Sequence, residues 1–277
     1  MAEKSFGIRT LCFSRKTLGR CWSNTLRDSA GKIRPLMPYM ANIAMKVNLK
    51  FGGVNHEVEG LSGILGSTLL LGADVTHPGS GALDGVPSVA AVVGNIDASC
   101  GRFLGSMRLQ SDKNVELIED FQSMVEQRLV AYAEHNSDIL LAKVIFYRDG
   151  VGDSQYEALR NREVAKIRQA YKILQLKYPK SESSVKVTAI VVAKRHDVRF
   201  FPKSQDSIPG NGNCKPGLLV DTGVTSPYYM DLYLQSHNGI KGTAKPAHYI
   251  VLEDEIGFSA DDNHNLVSLS VVRMMLR

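Results

Sequence analysis

Two short apolar runs that each end in an aspartate constrain this chain most. They are Leu69-Leu70-Leu71-Gly72-Ala73-Asp74-Val75 and Lys143-Val144-Ile145-Phe146-Tyr147-Arg148-Asp149. Both are too short for a core helix and both run into turn residues, Thr76-His77-Pro78 and Gly150, so both read as buried strands. An acid at the end of such a strand is costly to bury alone. A hard divalent cation such as Mg²⁺, which takes carboxylate oxygens and keeps several waters, would explain two of them converging. Each aspartate equally reads as the start of a turn or the cap of a following helix. The residues by themselves leave both readings standing.

The flanking pattern gives a sheet to put these strands in. Ser88–Ile96 and Arg102–Leu109 read as strands joined to the first by short turns, an antiparallel meander. A helix is expected over about 114–134, with Ile118, Phe121, Val125, Leu129 and Tyr132 on one face. A second is expected over about 154–175, with Tyr156, Leu159, Ile167, Ala170 and Leu174 facing inward. These helices separate the 143–147 strand from another at Lys186–Ala193, which suits parallel additions to the meander. Residues 246–252 read as one more strand, and 202–217, rich in Pro, Gly, Asn and Ser, as a loop. Upstream, 5–13 reads as a strand and 36–48 as a helix, broken at Phe51-Gly52-Gly53-Val54-Asn55 and followed by a linker over 56–68. The expected class is α/β, a mixed sheet with helices on both faces.

Composition excludes more than it selects. The 277 residues allow one or two domains, and 44% hydrophobic with 22% charged residues excludes disordered and fibrous classes. Lys plus Arg number 33 against 28 Asp plus Glu, a charge of +5 that permits an anionic partner without demanding one. The four cysteines, Cys12, Cys21, Cys100 and Cys214, form no CxxC pair and no zinc-like Cys/His spacing. Such sparse cysteines point to a reducing compartment. No apolar stretch approaches the ~20 residues of a membrane span, and no signal-peptide core is visible. A soluble, intracellular protein without a membrane partner is expected, cytoplasmic or nuclear.

Three longer motifs narrow the reading. GADVTHP at 72–78, VIFYRDGVGDSQY at 144–156 and HNGIKGTAKPAHYIVL at 237–252, in this order and at these intervals, closely resemble the PIWI domain of eukaryotic Argonaute proteins. The upstream MKVNLKFGGVN at 45–55 is similar to the end of the Argonaute MID domain. The resemblance implies a ribonuclease H-like fold. It implies that 1–55 are a C-terminal remnant of a MID domain with the start of a linker, and that 56–277 are a PIWI domain incomplete at its C-terminal end. It further implies binding of a small guide RNA and a complementary target RNA in RNA silencing, descent from a Mg²⁺- or Mn²⁺-dependent guide-directed RNA endonuclease, and docking of partner proteins through tryptophan motifs.

Residue by residue, the resemblance matches Asp74 and Asp149 to the two catalytic, metal-binding aspartates of Argonaute slicers, and Glu116 to the glutamate that inserts beside them. Glu116 is expected where the first helix begins, with Glu119 the competing choice. Lys46 and Lys50, four apart on one helical face, match lysines that hold the guide 5′ phosphate. Arg195, His196, His237 and Lys245 match contacts to the guide backbone, which position nucleic acid without reading its bases. The fourth slicer position, usually a histidine or aspartate, lies after a tyrosine-rich segment that the chain does not show; Tyr228-Tyr229 lies too early, and His248 is outside the catalytic set. His77 is disfavoured as a metal site of its own, and Arg160, Arg162, Lys166, Arg168 and Lys172 read as a solvated helix face. Three of four slicer positions leave two outcomes, a slow endonuclease or a non-cleaving RNA-binding or protein-interaction module.

Overall fold

The computed structural model describes residues 37–55, 65, 67–83, 85–111, 115–203, 206–239 and 242–258. The chain divides into two compact units, one running to Glu57 and the other from Val58 to Leu276. In the first, α1 (Met37–Lys50) occupies the place of the helix expected over 36–48. It ends as the break at Phe51-Gly52 predicts: the Phe51 amide still reaches back to the Val47 carbonyl, and Gly52 takes φ +85°, the left-handed conformation that ends helices. The strand expected over 5–13 and most of the 56–68 linker lie outside the described residues.

The second unit is built on one eight-stranded mixed sheet. Its strands are β1 (Thr68–Thr76), β2 (Val89–Asn95), β3 (Phe103–Leu109), β4 (Lys143–Asp149), β5 (Lys186–Ala193), β6 (Leu218–Val220), β7 (Met230–Gln235) and β8 (Ala247–Asp254). Their order across the sheet is β3-β2-β1-β4-β5-β8-β7-β6. The β1–β2–β3 meander is antiparallel, β4 and β5 add parallel to β1, and β8 and β7 return antiparallel. The first five strands follow the sequence pattern closely. β6 and β7 carried no readable signal. β6 is three residues long, and β7 buries Asp231 and Gln235, residues that look solvent-bound in sequence. Tertiary partners satisfy both: Asp231 meets His248 at 2.5 Å, and the Gln235 amide donates to the Cys214 carbonyl at 2.8 Å.

The helices follow the inward-facing apolar positions. In α2 (Phe121–His135), Phe121, Val125, Leu129 and Tyr132 pack on the β1, β2 and β4 residues Leu71, Ala73, Val92 and Phe146. Phe121 and Phe146 tilt against each other at 5.1 Å. The second helical stretch runs as α3 (Tyr156–Leu159), a π-helical turn (Arg160–Val164) and α4 (Ala165–Gln175). Its Val164, Ile167, Ala170 and Leu174 join the same core. Alternation along β1 and β4 sends Leu70 and Ile145 to the opposite face. There they pack with Tyr147, Ile190, Leu232 and Tyr249 in a second apolar cluster.

Candidate functional site

Parallel pairing puts the two aspartates together. β1 and β4 run in register from Thr68↔Lys143 to Ala73↔Arg148, so the next residues, Asp74, two short of the end of β1, and Asp149, the last of β4, stand side by side on neighbouring strands. In-register neighbours share a face of the sheet. Asp74 and Asp149 therefore stand on the face of Leu70 and Tyr147, and Arg148 points the other way, into the helix layer. The chain turns at once after β4: Gly150 has φ +85°, which an L side chain tolerates poorly. A Cβ at that position would stand 3.6 Å from Asp74 Oδ1 and 3.9 Å from Glu116 Oε2, so these two carboxylates close on one point above the turn. The acids line a cleft of about 660 Å³ with His77, Gly152, Lys194 and Arg195. Asp74 and Asp149 also rim a second cavity of about 280 Å³ on the open sheet face, floored by Gly72, Val93, Val192 and Tyr249.

Glu116 arrives differently from the expectation. It does not begin a helix: α2 starts at Phe121, and residues 115–120 are irregular, with a bend at Leu117 and a turn at Glu119-Asp120. The reason lies in their backbone groups, which are spent on side chains from elsewhere. The Ile118 amide donates to Glu163 at 2.8 Å, and the Leu117 carbonyl accepts from Gln110 at 2.9 Å. The Glu119 carbonyl accepts from Lys166 at 2.8 Å, and the Glu116 carbonyl accepts from Arg148. A helix would need those same groups for its own ladder. The Glu116 side chain is fixed by His77, whose Nε2 lies 2.7 Å from Oε1; the opposite ring nitrogen, Nδ1, meets Ser88 Oγ at 2.8 Å. Glu119 points away from the cleft and accepts from Ser111.

Behind this segment sits a pair that the sequence did not disclose. Arg148 and Glu163 are 0% and 1% exposed and meet at 3.2 Å. Glu163 lies in the π turn, which breaks the regular helical spacing and aims the carboxylate into the core. Burial pushes its carboxyl above the usual range, opposed by the Arg148 charge and the Ile118 amide. Arg148 binds the carbonyls of Asp149 and Glu116 as well, so one buried guanidinium ties both acid-bearing segments together. The arginine of the RDG run was the available signal; its glutamate partner could be found only in three dimensions.

The residues expected to contact phosphates fall into distinct settings. Lys46 and Lys50 are exposed on α1 of the first unit. Arg195, His237 and Lys245 are exposed on loops of the second, with Arg195 on the cleft wall. His196 is turned inward instead. Its Nε2 meets the Pro246 carbonyl at 2.9 Å, and its ring packs edge-on against Tyr233 and His248. Its Nδ1 is buried without a partner among the described residues. Burial lowers its pKa, so the ring is neutral at pH 7. A phosphate contact from His196 would require this aromatic cluster to open. Lys194, which sequence reasoning passed over, places Nζ 2.5 Å from Asp149 Oδ2.

The donor chemistry fits a hard divalent ion. Asp74, Asp149 and Glu116 offer carboxylate oxygens of the kind Mg²⁺ prefers, and the Lys194 ammonium pairs with Asp149. Among the described residues, no group of three or more His, Cys, Asp or Glu is drawn together as a finished metal site.

An eight-stranded mixed sheet of this order, with paired aspartates at the ends of its central parallel strands, defines a ribonuclease H-like α/β protein. Residues 4–273 match the Piwi domain family model, and the chain belongs to that family. It is 36% identical over 271 residues to protein argonaute 2 of Oryza sativa subsp. japonica, covering 96% of this chain and 24% of that protein. The chain thus spans about a quarter of that relative's length. Among solved structures it is similar to Kluyveromyces polysporus Argonaute with a guide RNA, at TM-score 0.75 and 32% identity over 82% of this chain and 27% of that one. It is also similar to the C-terminal lobe of a budding yeast Argonaute, at TM-score 0.74 and 32% identity, covering 81% and 47%. No described helix is long and apolar enough to cross a membrane.

Proposed function

We propose that the protein binds guide and target RNA along the strand-end cleft, in a cytoplasmic or nuclear RNA-silencing setting, and that Asp74, Asp149 and Glu116 are the acids of a Mg²⁺- or Mn²⁺-dependent RNA endonuclease site. The observation that carries this reading is the placement of Asp74 and Asp149, side by side on one sheet face at a cleft walled by Lys194 and Arg195. Argonaute relatives at more than 30% identity, one of them solved with a guide RNA, support it.

Asp74 and Asp149 would hold the divalent ions, which would supply an activated water and neutralise the leaving oxygen of a phosphodiester. The chain's own residues prepare for that role. Asp74 and Asp149 present oxygens on rigid strand ends. His77 holds one oxygen of Glu116, leaving the other directed at the turn where Asp74 also points. Arg195 and Lys245 offer exposed positive groups to a phosphate backbone and His237 an exposed imidazole, and Lys46 and Lys50 offer positive groups on the first unit. Recognition of sequence then falls to base pairing with the guide.

A second reading, a non-cleaving RNA-binding or protein-interaction module with tryptophan-motif partners, is favoured by the engagement of Asp149 with Lys194 and of Glu116 with His77. One experiment separates the two. A labelled target RNA is incubated with the protein and a 5′-phosphorylated guide, with Mg²⁺ and without. We expect salt-dependent binding, and slow Mg²⁺-dependent cleavage abolished by Asp149→Ala. Arg195→Ala and Lys245→Ala should each reduce the logarithmic salt slope by about 0.7. Binding without cleavage selects the second reading, and tight binding indifferent to salt rejects both.

A further inference from the structure

Lys194 is the first residue after β5, two positions beyond Val192, and Val192 pairs in register with Asp149. Strand alternation carries residue 194 to the face of residue 192, and so to the face of the two aspartates. The Lys194 ammonium accordingly reaches Asp149 Oδ2 at 2.5 Å. It also borders both cavities that the acids line. The lysine side chain is 60% exposed and the aspartate 29%. Ion pairs this open to solvent are weak and exchangeable. Two carboxylates at adjacent strand ends repel each other, and a cation beside one of them relieves the repulsion.

We propose that Lys194 is an internal counter-ion that occupies Asp149 until a divalent cation displaces it, and that the released ammonium then turns to a phosphate in the cleft. The inference rests on the proposed metal-binding role of the aspartates and adds an exchange step to it. The chemistry requires competition: a lysine ammonium and a divalent ion both need an oxygen of Asp149, and the lysine contributes a single charge to a single oxygen. The long, exposed stem lets the ammonium leave without moving the strand. By linkage, whatever draws Lys194 away raises the cation affinity of Asp149, and cation binding frees Lys194 for an anion by the same factor.

The test is a Mn²⁺ titration of the full chain, followed by calorimetry and by the electron paramagnetic resonance of free Mn²⁺, in wild type, Lys194→Met, Lys194→Arg, Arg195→Met and Asp149→Asn. Circular dichroism melts confirm that each variant is folded. Lys194→Met should tighten Mn²⁺ binding about three- to tenfold, and Lys194→Arg should leave it within about twofold. Arg195→Met removes an equal charge from the same cleft wall and should change it by less than about twofold. Asp149→Asn should abolish it. If Arg195→Met tightens binding as much as Lys194→Met, the effect is a general field and the exchange is overturned. If Lys194→Met changes nothing while Asp149→Asn abolishes binding, the metal site stands and the exchange falls. If neither wild type nor Lys194→Met binds Mn²⁺, both fall together.

Discussion

Glu163→Ala should be among the most damaging single substitutions in this chain, although residue 163 lies outside the cleft. The wild-type carboxylate has two partners, the Arg148 guanidinium at 3.2 Å and the Ile118 amide at 2.8 Å. Arg148 is 0% exposed, so the variant leaves a full charge in the core with no carboxylate and an amide with no acceptor. Breaking a buried pair on one side costs about 3–5 kcal/mol. For a unit of this size each kcal/mol lowers Tm by about 2–4 °C, so a fall of about 6–20 °C is expected. Thermal and urea unfolding followed by circular dichroism at pH 7.5 measures it. Glu163→Gln keeps an acceptor for Ile118 and should cost less. Replacing both members, Arg148→Met with Glu163→Leu, removes the stranded charge and should recover part of the loss. The recovery stays partial because Arg148 also serves the Asp149 and Glu116 carbonyls. A loss below about 1 kcal/mol for Glu163→Ala, or a double variant no better than the single one, would refute this account of the pair.

Three further outcomes follow from particular contacts. Arg128, on the buried face of α2, has Nε and Nη1 without partners among the described residues; Arg128→Met should therefore stabilise by about 1–2 kcal/mol, and a destabilised variant in the same melts would contradict this. Asp97 is held below its ordinary pKa by amide donors from Gly101 and Arg102 and by the Ser99 hydroxyl, which outweigh its burial. Its contribution is present above the unfolded value of about 4 and is lost as pH falls through the lower folded value. Asp97→Asn should flatten that acid limb of the stability–pH curve, and an unchanged limb would show the carboxylate to be idle. Gly150→Ala forces a side chain into φ +85° beside Asp74 and Glu116. It should cost about 1–2 kcal/mol in urea unfolding, and a neutral result would mean that the turn relaxes freely.

How much was legible depends on whether the signal was local. The runs LLLGADV and KVIFYRD specify strands by themselves, because a short apolar segment between turn residues has few other uses. The spacing of Phe121, Val125 and Leu129 likewise specifies a buried helical face. The start of that helix was misplaced by several residues. Nothing in the local sequence reveals that Gln110, Arg148, Glu163 and Lys166 would take up the backbone groups of 116–119. The inward turn of His196 was hidden in the same way, since its partners Tyr233, Pro246 and His248 come from strands and loops far along the chain.

The sequence alone therefore determined the number and kind of the central strands, the helices that cover them, and the two aspartates at strand ends. Those features follow from short-range periodicity and from the cost of burying an acid. Only the tertiary structure decided which strands are neighbours, and so that Asp74 and Asp149 stand side by side, that Lys194 meets Asp149, and that Arg148 with Glu163 holds Glu116 in place. Each of these is a contact between residues distant in sequence. Register between strands and the aim of a π turn set such contacts, and neither is written in the spacing of residues along one segment.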